Sequence, residues 1–372
     1  MRTLILSVSA GGGHVKAAEA IELYVKLDNP ENEVMLVDTI KYINPILDKV
    51  VIGGYLKSLK FSPFLFGKLY DLAENGESIA NFSNKVNEII IHKLIPLIED
   101  YAPDVIVTTH PFSTEMISIL KGKGKIHIPV AAILTDYAPH SFWIHPNIDA
   151  YIVSTEEMVD EMVRRGVERT ILHPLGIPVI PSFTKTFPRE ETLESLGLNP
   201  QKPTVLLMGG SLGMGKITAL YEELQQTETD LQIIVITGSN HKLFSRLSDE
   251  KNTCIKHTRI IGYTTEVNRY MQACDLLITK PGGLTITEAL ICGVPLALFS
   301  AIPGQEEKNA EFLIKNHLAV DLGDGKYCRN IIDSLLSSSD RLMEIKNNCS
   351  KFAKPNSGYA IKKLLYSLIK ES

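Results

Sequence analysis

The sequence predicts an α/β protein built from two doubly wound, parallel-sheet domains, and three observations carry that prediction. At 372 residues the chain is long for one core and suits two. Short apolar runs alternate with helix-length stretches through both halves, the pattern of parallel strands joined by crossover helices. Each half also carries a glycine-rich loop after an apolar run: Ser9-Ala10-Gly11-Gly12-Gly13-His14 and Gly209-Gly210-Ser211-Leu212-Gly213-Met214-Gly215. Glycines let the backbone approach a ligand closely, and the free N–H groups of the helix that follows favour negative charge.

In the first half, strands are predicted at residues 3–8, 34–37, 105–109, 130–134 and 151–154, with a helix over residues 15–27. The alternation stops near Leu175-Gly176-Ile177-Pro178, and Pro188, Pro200 and Pro203 then punctuate a polar stretch. Strands resume at residues 204–208, 231–236, 259–261, 275–279 and 295–299. The expected organisation is an N-terminal domain over 1–178, a linker over 179–202, a C-terminal domain over 203–350 and a terminal helix within 351–372. That last helix either crosses back to the first domain or ends the second. Ligands of open parallel sheets bind beyond the carboxyl ends of the strands, so two such sheets facing each other would frame a cleft between two loop systems.

Composition narrows the function. Thirty-eight basic residues against 43 acidic ones leave a net charge of −5, so no global basic field points to a nucleic acid. The five cysteines (Cys254, Cys274, Cys292, Cys328, Cys349) lack CxxC or CxxH spacing, which argues for reduced thiols in a cytosolic protein rather than a metal site. The opening MRTLILSVSAGGGH enters the first strand without the cleavage site of a signal peptide, and no run is long enough to span a bilayer. A soluble or peripheral protein is expected.

The string Thr279-Lys280-Pro281-Gly282-Gly283-Leu284-Thr285-Ile286-Thr287-Glu288 is the most specific in the chain. Backbone N–H groups from Gly282 to Thr285 and the Thr285 hydroxyl suit a phosphate, while Glu288, one turn into the helix, suits the two hydroxyls of a ribose. The alternative is a plain glycine turn with a helix-start carboxylate. Gln305, Glu306 and Asn309, after the Pro303-Gly304 turn, combine amides with a carboxylate, a set able to discriminate hydroxyl orientation. His14 stands where the first glycine loop enters a helix, whose positive end disfavours imidazolium and leaves a neutral base. Asp136, just after a strand, can orient that base, serve as the base, or cap the next element. The segment from Lys49 to Tyr70 mixes Lys57 and Lys60 with Tyr55, Phe61, Phe64 and Phe66, a composition suited to an anionic membrane surface, or else to core packing with exposed lysines.

These motifs, in this order, resemble the diacylglycerol branch of GT-B glycosyltransferase family 28, and the resemblance spans nearly the whole chain. It rests on the Ser9–His14 loop, Thr135-Asp136-Tyr137 with His140 and Trp143, Gly209-Gly210-Ser211, the Thr279–Glu288 string and Pro303-Gly304-Gln305-Glu306-Glu307-Lys308-Asn309. It implies a GT-B fold of two Rossmann-like domains and an inverting transfer of a hexose, with glucose favoured, from a UDP-sugar to diacylglycerol. His14, the first choice of base, and Asp136 are the candidate catalytic residues. The resemblance places Glu288 on the ribose, Ser211 and Thr285 on the diphosphate, and Gln305, Glu306 and Asn309 on the hexose; Gly210, Gly282 and Gly283 complete the expected donor-binding set. The UDP-sugar would be a substrate, with no cofactor and no metal. The enzyme would sit in the cytoplasm, peripheral on the inner face of the cell membrane. Galactose as the donor sugar, N-acetylglucosamine transfer to lipid I, a UDP-sugar epimerase and a non-catalytic UDP-sugar-binding regulator are the competing readings. The SAGGGH loop departs from the GGTGGH-like loop of the lipid-I enzyme.

Overall fold

The computed structural model describes the chain except for residues 10, 11, 28, 45–91, 211, 212, 214, 215, 251–254, 300 and 372. Its described residues form two compact units. The first comprises Met1–Pro181, Ile302–Gln305 and Asn356–Ser372, and the second comprises Ser182–Ala301 and Glu306–Pro355.

The first unit holds a sheet of β1 (Arg2–Ser7), β2 (Glu33–Asp38), β3 (Val105–Thr108), β4 (Val130–Ile133), β5 (Ala150–Ile152) and β6 (Leu172–His173) in the order β2-β1-β3-β4-β5-β6. Every pairing is parallel. Both faces of the sheet are covered, so β1, β3 and β4 read as continuous apolar runs rather than alternating ones. One face packs Leu4, Leu6, Ile106, Val130 and Ala132 against Met116, Ile117 and Leu120. The other packs Ile5, Val105, Val107, Ala131 and Ile133 against Ala18, Ile21 and Val25 of the helix Gly13–Leu27 and Ile361 and Leu365 of the helix Ser357–Glu371.

That terminal helix therefore belongs to the first unit. Its first residue fastens it, with Ser357 Oγ donating to the Gly176 carbonyl at 2.7 Å. The Tyr359 ring meets the Tyr24 ring edge-on at 4.9 Å, and Asn32 bridges to the Tyr366 hydroxyl. Gly358 is required at this contact, because a Cβ there would overlap the buried Tyr24 ring. Gly358→Ala is accordingly expected to destabilise the first unit by about 1–3 kcal/mol, read as a lowered unfolding midpoint in a thermal melt. An unchanged melt would mean that the helix shifts at no cost.

The second unit repeats the architecture with β7 (Thr204–Met208), β8 (Gln232–Ile236), β9 (Thr258–Ile261), β10 (Leu276–Thr279), β11 (Leu296–Leu298) and β12 (Ala319–Asp321). The order is β12-β11-β10-β7-β8-β9, again all parallel. Renumbered from its own first strand this is 3-2-1-4-5-6 read from the other edge, the Rossmann order. The stretch read from sequence as a linker is not bare chain. It carries the helix Arg189–Ser195 and clusters with the second unit from Ser182 onward. The cause is Arg189, whose guanidinium donates to both Asp275 oxygens and to the carbonyls of Ala273, Pro200 and Lys202.

Candidate active site

Each sheet reverses its strand order at one point; His14 follows a strand at the first reversal, and Gly210, Gly282, Gly283, Thr285 and Glu288 follow the strands at the second. In the first sheet the reversal lies between β1 and β3; in the second it lies between β7 and β10. Loops leaving adjacent strands in opposite directions open a crevice there.

At the first crevice, Gly12 takes a φ of +89°, a region that glycine enters without strain, and turns the chain from β1 into the helix Gly13–Leu27. Ser9 N is held at 3.1 Å by Asp38 at the end of β2, and the same carboxylate caps the helix Thr39–Ile43. His14, the second residue of the long helix, is thereby aimed across the reversal at the end of β3. Its Nδ1 lies 2.9 Å from the Thr109 carbonyl and 2.8 Å from Thr135 Oγ1. A carbonyl can only accept, so Nδ1 carries the proton and Nε2 carries the lone pair. This is the tautomer that a general base needs.

The His14 environment is built from the ends of β3 and β4. The His110 ring stands edge-on to it at 4.6 Å, and Trp143 lies 6.4 Å away. His110 Nδ1 accepts from Phe112 N and caps the helix Pro111–Gly122. Trp143 is buried on the short turn Ser141–Trp143, which His140 Nδ1 caps by accepting from Phe142 N. Burial pushes the His14 pKa from 6.5 down to about 4, outweighing the opposing pull of the Thr109 carbonyl. Burial and then the neighbouring His14 push His110 well below the ordinary range. Loss of solvent, more than the helix end invoked from sequence, thus keeps the His14 imidazole neutral.

The sign of the pH effect follows. Below pH 6.5 the unfolded chain binds a proton at this position that the folded protein refuses until about pH 4. Stability should therefore fall as pH drops through that window. Denaturant melts between pH 7.5 and 4.5 check this, since a His14→Gln variant should show a shallower decline.

Asp136 follows Thr135 directly after β4, partly buried on a bend. Next to it, the Ala138 carbonyl accepts a 2.9 Å hydrogen bond from Gln305 Nε2, and both residues lie in the first unit.

At the second crevice, Gly282 caps the helix Gly283–Cys292 with extended backbone, and a Cβ there would meet open space. Thr285 and Glu288 are partly buried and three residues apart on that helix, so they share a face. Gly210 and Gly213 of the loop after β7 have φ of +70° and +55°. Gly213 allows a close approach, since a Cβ would overlap the Thr237 carbonyl, and Asn240 Nδ2 donates to the Gly213 carbonyl at 3.1 Å. Ser211 lies outside the described residues, as do Tyr55, Lys57, Lys60, Phe61, Phe64 and Phe66.

The helix Gln305–Lys315 docks beside this loop. Lys280 Nζ lies 3.0 Å from each oxygen of the Glu306 carboxylate. Asn309, expected at the hexose, is fully buried, and its Nδ2 donates to the Pro281 carbonyl at 3.0 Å. Its amide thus fastens the helix to the loop. Sequence reasoning had missed Thr109, His110 and Lys280; the available signal was their position immediately at or after strand ends. Among the described residues, no group of three or more His, Cys, Asp or Glu could hold a metal ion, and no helix is long and apolar enough to cross a membrane.

Comparison with known proteins assigns the family. Residues 14–179 match the monogalactosyldiacylglycerol (MGDG) synthase family, and residues 204–361 match the glycosyltransferase family 28 C-terminal domain. The processive diacylglycerol beta-glucosyltransferase of Bacillus pumilus (strain SAFR-032) is 30% identical over 351 residues, covering 93% of this chain and 90% of the relative. The chain belongs to the diacylglycerol glucosyltransferase family. Solved structures share the two-sheet frame. Acinetobacter baumannii MurG superposes with a TM-score of 0.64 at 15% identity, over 98% of this chain and 99% of that one. Anabaena Alr3699/HepE in complex with UDP-glucose gives 0.57 at 16% identity, over 99% and 100%. At such identities the likeness establishes the fold, GT-B with two Rossmann-like domains.

Proposed function

We propose that the chain transfers glucose from UDP-glucose to the hydroxyl of diacylglycerol, with inversion at the anomeric carbon. The observation that carries this reading is the His14 tautomer, a neutral imidazole with its Nε2 lone pair available, in a chain whose relatives are named diacylglycerol beta-glucosyltransferases. A β-linked product from an α-linked nucleotide sugar is a single in-line displacement, which needs one base and a stabilised leaving group.

In this mechanism His14 Nε2 takes the proton of the acceptor hydroxyl as that oxygen bonds to the anomeric carbon. The bond from that carbon to the diphosphate oxygen breaks, and UDP departs with the electron pair. Thr109 and Thr135 hold Nδ1–H throughout, fixing the ring. Asp136, which follows Thr135 in sequence, would support the imidazolium that forms. The first turn of the helix Gly283–Cys292 and Thr285 would meet the diphosphate, with N–H groups aimed at the developing charge. Gly210 and Ser211 would complete that cradle, and Glu288 would accept the ribose hydroxyls. Gln305 and Glu306 would read the hexose, while Asn309 keeps their helix in place.

The first unit then serves the lipid acceptor and the second, with Gln305 of the first, the nucleotide sugar. The lysine- and aromatic-rich stretch containing Tyr55, Lys57, Lys60, Phe61, Phe64 and Phe66 supports attachment to an anionic membrane surface, peripheral and on the cytoplasmic side. The test is incubation with anionic liposomes containing diacylglycerol and, separately, UDP-glucose, UDP-galactose and UDP-N-acetylglucosamine, with lipid products identified by mass. Hexosyl-diacylglycerol formed from UDP-glucose is expected, with further hexoses added if the protein is processive. Product from UDP-galactose alone would move the donor assignment, and no lipid product would overturn the reaction.

A further inference from the structure

We propose that Lys280 is a positioning residue for the donor sugar, acting through the Glu306 carboxylate. Lys280 is the first residue beyond β10, at the strand reversal of the second sheet, and Glu306 opens the helix Gln305–Lys315. The ammonium reaches both carboxylate oxygens at 3.0 Å. The pair is enclosed, with the side chains 11% and 21% exposed, whereas a surface pair such as Arg169–Glu156 is 55% and 68% exposed.

An enclosed ion pair loses much hydration, so it is a poor way of adding stability. What it does is fix the orientation of a carboxylate. The neighbouring Asn309–Pro281 hydrogen bond already fastens the same helix to the same loop without any charge, so docking alone does not call for Lys280. Held this way, Glu306 keeps a single orientation, whereas a freely rotating carboxylate would present that orientation to a sugar only part of the time. The same loop runs straight on into Gly282 and Gly283 at the start of the diphosphate helix. Lys280 thereby sets the spacing between the sugar-reading carboxylate and the diphosphate cradle. This inference rests on the proposed reading of Gln305 and Glu306 as hexose contacts.

The test compares Lys280→Met, Lys280→Arg, Glu306→Gln and the Lys280→Met/Glu306→Gln double variant. KM and kcat are measured with UDP-glucose, and affinity for UDP, which lacks the hexose, is measured by calorimetry. Lys280→Met should raise KM for UDP-glucose by about 10–100-fold and change UDP affinity by less than about threefold. Lys280→Arg should recover most of the loss, because a guanidinium fork suits a carboxylate. The double variant should be no worse than Lys280→Met. Retained UDP affinity also shows that the variants are folded. Equal losses for UDP and UDP-glucose would place Lys280 on the diphosphate and overturn the proposal. So would failure of arginine to rescue, or losses that multiply in the double variant. If the native protein turns over UDP-glucose and Lys280→Met is unaffected, only this inference fails. If the native protein does not bind UDP-glucose, the functional reading fails and takes this inference with it.

Discussion

His14→Ala is expected to lower the transfer rate by about 10²–10⁴-fold while leaving UDP-glucose affinity unchanged. The separation follows from topology: His14 sits at the strand reversal of the first sheet, and the residues proposed for the nucleotide, Gly282 to Glu288, sit at that of the second. Glucosyl-diacylglycerol formation and donor calorimetry on the same preparation test it. A variant that keeps full turnover would remove His14 as the base, and a variant that loses donor affinity would make it a binding residue. The pH profile sharpens the expectation. With the His14 pKa near 4, the base form persists well below neutrality, so the acid limb of kcat/KM should lie near pH 4 rather than near 6.5. An acid limb at 6.5 would mean that another group titrates or that the histidine is solvated in the working enzyme.

Glu288→Ala should weaken UDP binding by about 10²-fold or more, since charge-assisted hydrogen bonds contribute about 1.5–3 kcal/mol each and the carboxylate would accept two. The more discriminating readout is the ribose itself. Native protein should prefer UDP to 2′-deoxy-UDP, and the Glu288→Ala variant should bind the two alike. Persistence of that preference would take the ribose away from Glu288. The helix carrying it should survive the change, because Gly282 and the Thr287 hydroxyl bond to the Gly283 carbonyl hold its first turn independently.

Much of this frame is legible in the sequence because it is local. The longer strands are buried on both sides and so read as apolar runs, and the glycine loops mark where those strands give way to helices. The short β6, Leu172–His173, and β12, Ala319–Asp321, are not legible because each ends on a polar, less buried residue, whereas the equally short β5 and β11 are fully buried apolar runs. The site divides in the same way. His14 and Glu288 announce themselves by position within a strand-loop-helix unit. The partners that give His14 its tautomer do not, since Thr109 and Thr135 are 95 and 121 residues away and meet it only once the sheet has formed. Asn309 is the converse case. Its chemistry suits a sugar, yet burial turns its amide toward a loop carbonyl.

The return of the helix Ser357–Glu371 to the first unit makes the second unit, topologically, an insertion into the first. Domains generally complete folding in the order they leave the ribosome. Here that order is inverted. The first sheet keeps part of one face uncovered, where Ile361 and Leu365 will pack, until the whole second unit has been synthesised. The second unit can close on itself in the meantime. During synthesis the aggregation hazard therefore rests with the part of the protein made earliest, and cutting the chain between the two sheets would release one nearly whole domain and one permanently unfinished one.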